Sequence, residues 1–124
     1  KGVKFSKFEK LGEEINKKID LIIVAVISKG IEWASIELSK VLKTNIPILI
    51  LTKGLAINNN NYEMLAHKME RLLKKNGIKE TNISAAGGPC LAKGLANKIH
   101  TSVVFANTNI KIARDIAKLV STEY

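Results

Sequence analysis

Unbroken runs of aliphatic residues most constrain how this 124-residue chain can fold. The runs at 21–26 and 46–51 do not alternate with polar residues, which is typical of strands buried on both faces. Each is followed by residues with the spacing of an amphipathic helix, and further strand-like segments occur at 81–86 and 101–106. This order predicts an α/β fold, with an open, mostly parallel sheet and helices on both faces.

The predicted helices are marked by apolar stripes and by residues that begin or end helices. Ser6 and Glu9 have the spacing of a capping box and predict a helix over 7–18. A strong apolar face that includes Tyr62 and Met69 predicts a helix with both side chains in the core. A second apolar stripe comprises Ile31, Ala34, Leu38 and Val41, and Asn76 with Gly77 ends the helix that contains Met69. A short helix is predicted after Pro89, and a last helix is predicted after Asn107, Thr108 and Asn109, which can cap it.

Composition and length exclude several classes of protein. With 46% apolar and 25% charged residues, the chain reads as one globular domain or part of one. The longest apolar run, 21–27, is far shorter than the roughly 20 residues that span a bilayer, so no membrane span is predicted. One cysteine excludes an internal disulfide framework, and no secretory signal is visible, so we expect a cytoplasmic protein. The chain begins with Lys1, not Met, which suggests that residues precede it.

The charge of +9 does not predict nucleic-acid binding. All but two of the 20 basic residues, Arg71 and Arg114, are lysines, and they are dispersed rather than clustered. Nucleic-acid readers usually concentrate arginine, whose planar fork matches phosphates and guanine edges. We therefore expect no nucleic-acid partner.

Three glycine-containing segments follow predicted strands, at the edge where open α/β sheets bind ligands. They are 27–30, 52–54 and 87–90. Lys53 directly follows a buried strand, and Gly88 with Pro89 would open a helix whose N–H groups attract anions. These features predict an anion site suited to phosphate, although plain tight turns with a solvated lysine would give the same pattern.

Other chemistry is weakly supported by the residue pattern. A nucleophilic Cys90 would need a base, and neither His67 nor His100 is placed by sequence to act as one. The same isolated histidines do not have metal-ligand spacing, so we expect no metal. The lone Trp33, at helical spacing, predicts partial packing in the core rather than a stacking platform. Residues 122–124 predict the start of another strand.

Five segments occur in a fixed order that is more specific than any one of them. They are Asp20 with a strand ending Ala25-Val26, then Thr52-Lys53-Gly54-Leu55, Gly88-Pro89-x-x-Ala92-Lys93, Thr101-Ser102-Val103-Val104 and Ser121-Thr122-Glu123-Tyr124. In order and spacing, from about residue 10 to 124, they resemble the NAD(P)-dependent glycerol-3-phosphate dehydrogenases. The Lys-Gly-Leu and Gly-Pro-x-x-Ala segments carry most of the likeness.

This resemblance implies an oxidoreductase that transfers a hydride between NAD(P)H and dihydroxyacetone phosphate to give sn-glycerol 3-phosphate, a precursor in phospholipid biosynthesis. It implies Lys53 as the catalytic residue, in contact with both the substrate and the NAD or NADP cofactor. Gly88 and Cys90 would bind substrate, while Ala92 and Ser28 would bind the cofactor. Many members have serine in place of Cys90, and a thiol is the poorer hydrogen-bond donor.

The chain departs from the family pattern at both ends. Nothing in 1–19 matches the Gly-x-Gly-x-x-Gly strand-turn-helix that holds the pyrophosphate, and the helical domain with the general acid/base lysine is absent. The sequence thus predicts one partial Rossmann-like dinucleotide-binding domain over 1–124, inactive alone, with a phosphorylated small molecule as its partner. Cofactor preference and oligomeric state stay open, a homodimer of the whole protein being one option. The alternative is a non-catalytic α/β module that binds a phosphorylated ligand or a partner protein.

Overall fold

The computed structural model describes residues 2–43 and 45–122, over which strands and helices alternate. In chain order the elements are a 3₁₀ turn at Phe8–Lys10, α1 (Leu11–Ile15), β1 (Ile22–Val24), α2 (Gly30–Val41), β2 (Ile48–Ile50), β3 (Leu55–Asn58), β4 (Asn61–Met64), α3 (Leu65–Lys75), β5 (Ile83–Gly87), α4 (Ala92–Ala96), β6 (Val104–Ala106) and α5 (Ile110–Val120). None of the helices in these ranges is long and apolar enough to cross a membrane. The strand start predicted at 122–124 includes Glu123 and Tyr124, which lie outside the described residues.

Four strands form one sheet in the order β1-β2-β5-β6. β1, β2 and β5 run parallel, which confirms the predicted arrangement of the first three strands. β6 runs antiparallel to β5, with Val104 opposite Gly87. The segment 88–103 therefore leaves and re-enters the sheet at the same edge, the one formed by the carboxyl ends of the parallel strands.

The core lies between the central strand β2 and the helices α2 and α3. Ile48 and Ile50 face these helices, and Leu49 faces the other side of the sheet. All three are at most 2% exposed, so β2 is buried on both faces as its sequence predicts. Met69 of α3 is fully buried in the same core, as predicted.

Strand β1 corrects the prediction that both long apolar runs are buried on both faces. Ile23 is 51% exposed, because β1 pairs with β2 on one side and forms the sheet edge within the described residues. An apolar run shows that a strand is hydrophobic, but it does not show the strand's position in a sheet. Trp33 of α2 lies beside this edge, half-exposed, with its ring 4.9 Å from that of Phe8, in keeping with the predicted partial packing.

The first helix is shorter than the predicted 7–18 and lacks the expected capping box. Lys7 occupies the N-cap without a side-chain hydrogen bond. The hydroxyl of Ser6 instead donates to Glu14 Oε1 at 3.0 Å, and Lys17 Nζ donates to Glu14 Oε2 at 2.6 Å. These bonds, the one from Lys17 foremost, lower the pKa of Glu14. The Ser6 hydroxyl, which would cap the helix in a capping box, thus bonds Glu14, the residue that pairs with Lys17.

A two-stranded hairpin replaces the loop and helix start predicted around Tyr62. β3 and β4 pair antiparallel across Asn59 and Asn60, whose φ angles of 49° and 62° are both left-handed. Two left-handed central residues are the mark of a type I′ hairpin turn, which asparagine tolerates well. Tyr62 lies on β4 and is 81% exposed, so its predicted place in the core is wrong. Helix α3 begins three residues later.

Candidate functional site

The predicted ligand edge is assembled at the carboxyl ends of β1, β2 and β5. Each parallel strand runs into one of the three segments 27–30, 52–54 and 87–90. Since parallel strands end at a common edge, segments that are distant in sequence meet there. The described sheet therefore provides the platform that the sequence predicts.

Lys53 and Gly88 lie together at this edge. The ammonium of Lys53 donates a hydrogen bond to the Gly88 carbonyl oxygen at 2.6 Å. The two residues are therefore close enough to contact one small ligand together. An ammonium has three N–H bonds, and Lys53 is exposed, so the contact with Gly88 leaves donors free to meet a ligand oxygen.

Gly88 could not be replaced without moving backbone. Its φ is +103°, a region that residues with a side chain rarely adopt. A Cβ built on Gly88 would lie 2.8 Å from the backbone oxygen of Ser102 and 3.6 Å from Val103 Cα. The close approach of segments 87–90 and 102–104 thus requires glycine and fixes the carbonyl that holds Lys53.

A cavity of about 220 Å³ opens beside Lys53, between the sheet edge and the hairpin. Its walls are mainly apolar, and Thr52 and Lys53 are among the residues that line it. The described residues that line it are Ile50, Thr52, Lys53, Gly54, Met64, Leu65, Ala66, Ala85, Ala86, Gly87, Val104 and Ala106. An ammonium beside apolar walls interacts more strongly with an oxyanion than it would in bulk water.

Sequence analysis did not single out Thr52. Its hydroxyl donates a hydrogen bond to the backbone carbonyl of Val26, which follows β1. The segment that carries Lys53 is thereby joined to its neighbours on both sides, to β1 through Thr52 and to β5 through Gly88. The sequence alone carries no signal for this bond, because the accepting carbonyl lies 26 residues earlier in the chain.

The hairpin wall of the cavity is fastened to α3 by an ion pair. Arg71 of α3 donates from Nε and Nη2 to the two carboxylate oxygens of Glu63 at 2.9 and 2.8 Å. These bonds lower the pKa of Glu63 and raise that of Arg71. The two-pronged geometry fixes the orientation of β4, and with it the position of Met64 in the cavity wall.

Of the predicted site residues, Lys53 alone is among the described residues that line this cavity; Gly88 lies next to it, and the other three lie farther along the same edge. Ser28 is exposed in the turn before α2, and its carbonyl accepts from the Ile31 N–H at 3.4 Å. Cys90 is a half-buried free thiol, and Ala92 is the exposed first residue of α4. The structure thus brings Lys53 and Gly88 together and leaves these three around them.

The helix expected to open at Pro89 is also corrected. α4 begins at Ala92, contains five residues and has Leu91 as an N-cap without a side-chain bond. So short a helix, starting beyond Pro89, adds little dipole to an anion site at Gly88. Positive charge at this edge comes from Lys53 instead. Within the described ranges, no group of three or more His, Cys, Asp or Glu could hold a metal ion.

Comparison with known proteins identifies a family model and several relatives. The family model described as the N-terminus of NAD-dependent glycerol-3-phosphate dehydrogenase matches residues 7–113. A protein of Rickettsia typhi named glycerol-3-phosphate dehydrogenase (NAD(P)+) is 38% identical over 112 residues, which cover 86% of this chain and 32% of that protein. A protein of the same name from Francisella tularensis is 32% identical over 106 residues, covering 86% and 30%. This chain spans about a third of their length.

Solved structures show the same fold at lower identity. A crystal structure of glycerol-3-phosphate dehydrogenase from Coxiella burnetii matches with a TM-score of 0.72 at 18% identity, covering 91% of this chain and 32% of that one. The structure of DsGPDH of Dunaliella salina matches with a TM-score of 0.76 at 18% identity, covering 92% of this chain and 19% of that one. Since the family model matches most of the chain and the fold agrees, the chain belongs to the NAD-dependent glycerol-3-phosphate dehydrogenase family, in its N-terminal part.

Proposed function

We propose that this chain is the later part of the dinucleotide-binding domain of an NAD(P)-dependent glycerol-3-phosphate dehydrogenase. The whole protein would transfer a hydride between NAD(P)H and dihydroxyacetone phosphate to give sn-glycerol 3-phosphate, in the cytoplasm. Family membership supports the reaction class, and the names of the relatives support the cofactor. The observation that carries the proposal is the Lys53 ammonium held against Gly88 at the carboxyl edge of the sheet.

The cavity beside Lys53 fits one end of the cofactor rather than all of it. Its volume of about 220 Å³ is below the roughly 300–1,000 Å³ of sites that enclose a whole ligand. Apolar walls suit the flat face of a nicotinamide ring, and Lys53 suits a neighbouring oxygen. The bound cofactor supplies or accepts the hydride. Ser28 and Ala92, farther along the same edge, would contact the rest of the dinucleotide.

Lys53 would act on the oxygen of the substrate carbonyl. Negative charge develops there as the carbonyl is reduced, and a pre-placed ammonium stabilises that charge without having to reorganise. The Gly88 carbonyl orients the ammonium, and the absence of a Cβ at Gly88 keeps that carbonyl in place. Cys90, two residues on, would contact the substrate through its backbone N–H. This division of roles makes Lys53 the catalytic residue among those described.

The proposal is tested by substitution of Lys53 in the full-length protein. Lys53→Ala should lower kcat/KM by roughly 10²–10³, the usual loss when one pre-placed donor is removed. Thermal stability should hardly change, because the side chain is exposed. Lys53→Arg should restore activity only in part, since a planar fork does not replace a compact ammonium.

Lys118→Ala is the matched control, because Lys118 is an exposed lysine on α5, outside the cavity lining. It should leave steady-state NAD(P)H oxidation near that of the parent. Near-parental kcat/KM in Lys53→Ala would remove Lys53 from the catalytic role. A full-length protein that binds dihydroxyacetone phosphate but oxidises no NAD(P)H would favour a non-catalytic α/β module instead.

A further inference from the structure

A side-chain hydrogen bond continues the pairing of β1 and β2 beyond the end of both strands. The Leu51 N–H donates to the Val24 carbonyl at 3.0 Å, the last backbone bond in register after the Val24–Ile50 pair. In a parallel ladder the next carbonyl on that strand, two residues on, would accept from the N–H of residue 53. That carbonyl belongs to Val26, and it accepts from the Thr52 hydroxyl.

We propose that Thr52 is a positioning residue for Lys53. The activity measurements that test this inference rest on the proposed function, whereas the exchange measurements do not. The hydroxyl bond fixes the backbone one residue before Lys53, at the point where the chain leaves the β1 ladder. The far end of the Lys53 side chain is fixed by Gly88. Both ends of this long, flexible side chain are thus held in place. Val26, after β1, fixes the backbone next to Lys53, and Gly88, after β5, fixes its ammonium.

Gly54, the residue after Lys53, explains why the backbone at Lys53 needs a second contact. Gly54 has a φ of +124°, which residues with a side chain rarely adopt, and glycine restricts the backbone less than any other residue does. Beyond Leu51, whose N–H is bonded to the Val24 carbonyl, the exposed Lys53 contact would be the main restraint on the chain before Gly54 if the Thr52 bond were lost. Thr52 is half-buried and lines the cavity, where a small shift would displace the ammonium from the reacting oxygen. Misplacement by about 1 Å can lower a rate by two orders of magnitude.

Activity measurements on the full-length protein separate positioning from binding. Thr52→Val should lower kcat about 10- to 100-fold with little change in KM. Thr52→Ser keeps the hydroxyl and should restore most of kcat. Added to Lys53→Ala, Thr52→Val should cause no further loss, because Thr52 acts through Lys53. A rise in KM with unchanged kcat, or losses that multiply in the double variant, would overturn the positioning role.

A second readout does not depend on activity. Hydrogen–deuterium exchange in the full-length protein should be faster for the amides of 52–54 in Thr52→Val and close to parental in Thr52→Ser. Ser39→Ala is the control, since it removes another hydroxyl bond to a backbone carbonyl, from Ser39 to Ile36 at 2.7 Å on α2. It should leave exchange in 52–54 unchanged.

The two proposals can fail separately. Parental exchange rates for 52–54 in Thr52→Val would overturn the role of Thr52 whatever the enzyme does. If the parent protein oxidises no NAD(P)H with dihydroxyacetone phosphate, the proposed function fails, and the exchange experiment still decides whether Thr52 holds the Lys53 segment.

Discussion

Strand β2 and the β3–β4 hairpin are separated only by residues 51–54, yet different forces hold them. β2 is buried on both faces of the sheet. The hairpin carries Leu55, Ile57, Tyr62 and Met64 on one face, and all four are substantially exposed. Its geometry comes from a left-handed turn and from the Glu63–Arg71 pair. Burial fixes the strand, whereas local backbone geometry and polar contacts fix the hairpin.

The candidate site lies at the junction of these two regions. Lys53 extends from the end of the rigid strand, while Met64 of the hairpin forms the opposite part of the cavity wall. A site built this way combines a lysine held at the sheet edge with a wall formed by the less buried hairpin. The comparison predicts how strongly substitutions lower the free energy of unfolding. The loss should be largest in β2, smaller at the sheet edge and smallest in the hairpin.

The largest difference should be between two isoleucines on these neighbouring elements. Ile50→Ala in β2 should lower the free energy of unfolding by about 2–5 kcal/mol, because a fully buried side chain leaves a cavity. Ile57→Ala in β3 should change it by less than about 0.5 kcal/mol, since Ile57 is 73% exposed. Urea unfolding followed by circular dichroism measures both. Similar losses in the two variants would mean that the hairpin face is covered, and the contrast would disappear.

The two regions also differ in how well sequence predicts them. β2 is predictable because a strand buried on both faces needs apolar residues at successive positions, and such a run is visible in the local sequence. The Lys53–Gly88 contact follows from that, because parallel strands end at one edge. Asn59 and Asn60 carry the hairpin signal, but four consecutive asparagines read equally well as a polar loop. The apolar residues around them are exposed, so their spacing reflects no core.

What sequence could not predict depends on partners distant in the chain. Ile23 has the composition of a buried strand, and its exposure follows from the strand order, which local sequence does not contain. Glu9 had the right spacing to cap a helix with Ser6, but Glu14 accepts from that hydroxyl instead. Thr52 bonds a carbonyl 26 residues earlier. In each case the deciding contact forms only after the sheet or helix has been assembled.

An intermediate effect is expected at the sheet edge, where backbone is packed against backbone. Gly88→Ala should destabilise the fold by about 1–3 kcal/mol, because it combines a left-handed φ with a Cβ 2.8 Å from the Ser102 oxygen. It should also lower kcat/KM in the full-length protein, since the carbonyl that orients Lys53 must move. The same unfolding experiment gives the first quantity, and steady-state kinetics gives the second.

Gly94→Ala is the matched glycine control for Gly88→Ala. Gly94 lies within α4, has no positive φ and would place its Cβ in open space. Alanine is the better helix former, so this variant should be neutral or up to about 1 kcal/mol more stable. A Gly88→Ala variant as stable as Gly94→Ala would show that segments 87–90 and 102–104 approach less closely than described.

The smallest effect is expected from the ion pair that fastens the hairpin, and it should depend on pH. Hydrogen bonds from Arg71 hold the pKa of Glu63 below its ordinary value of 4.5 in the folded chain. A carboxyl with a lowered folded pKa stabilises the fold above its unfolded pKa, and this contribution is lost as pH falls through the folded value. Glu63→Gln should therefore be less stable than the parent at pH 7, and the difference should shrink below pH 4.5.

Urea midpoints of the parent and Glu63→Gln, measured from pH 7 down to pH 3, test this. Glu13→Gln, at an exposed position of α1, should show no comparable difference in urea midpoint at pH 7. The difference for Glu63→Gln should be smaller than that for Gly88→Ala, because the Arg71 side chain is 42% exposed and a pair screened by solvent on one side contributes little. A difference that is unchanged at pH 3 would mean that the amide loses packing rather than charge. The hairpin would then be held by burial, as β2 is, and the distinction between the two regions would not stand.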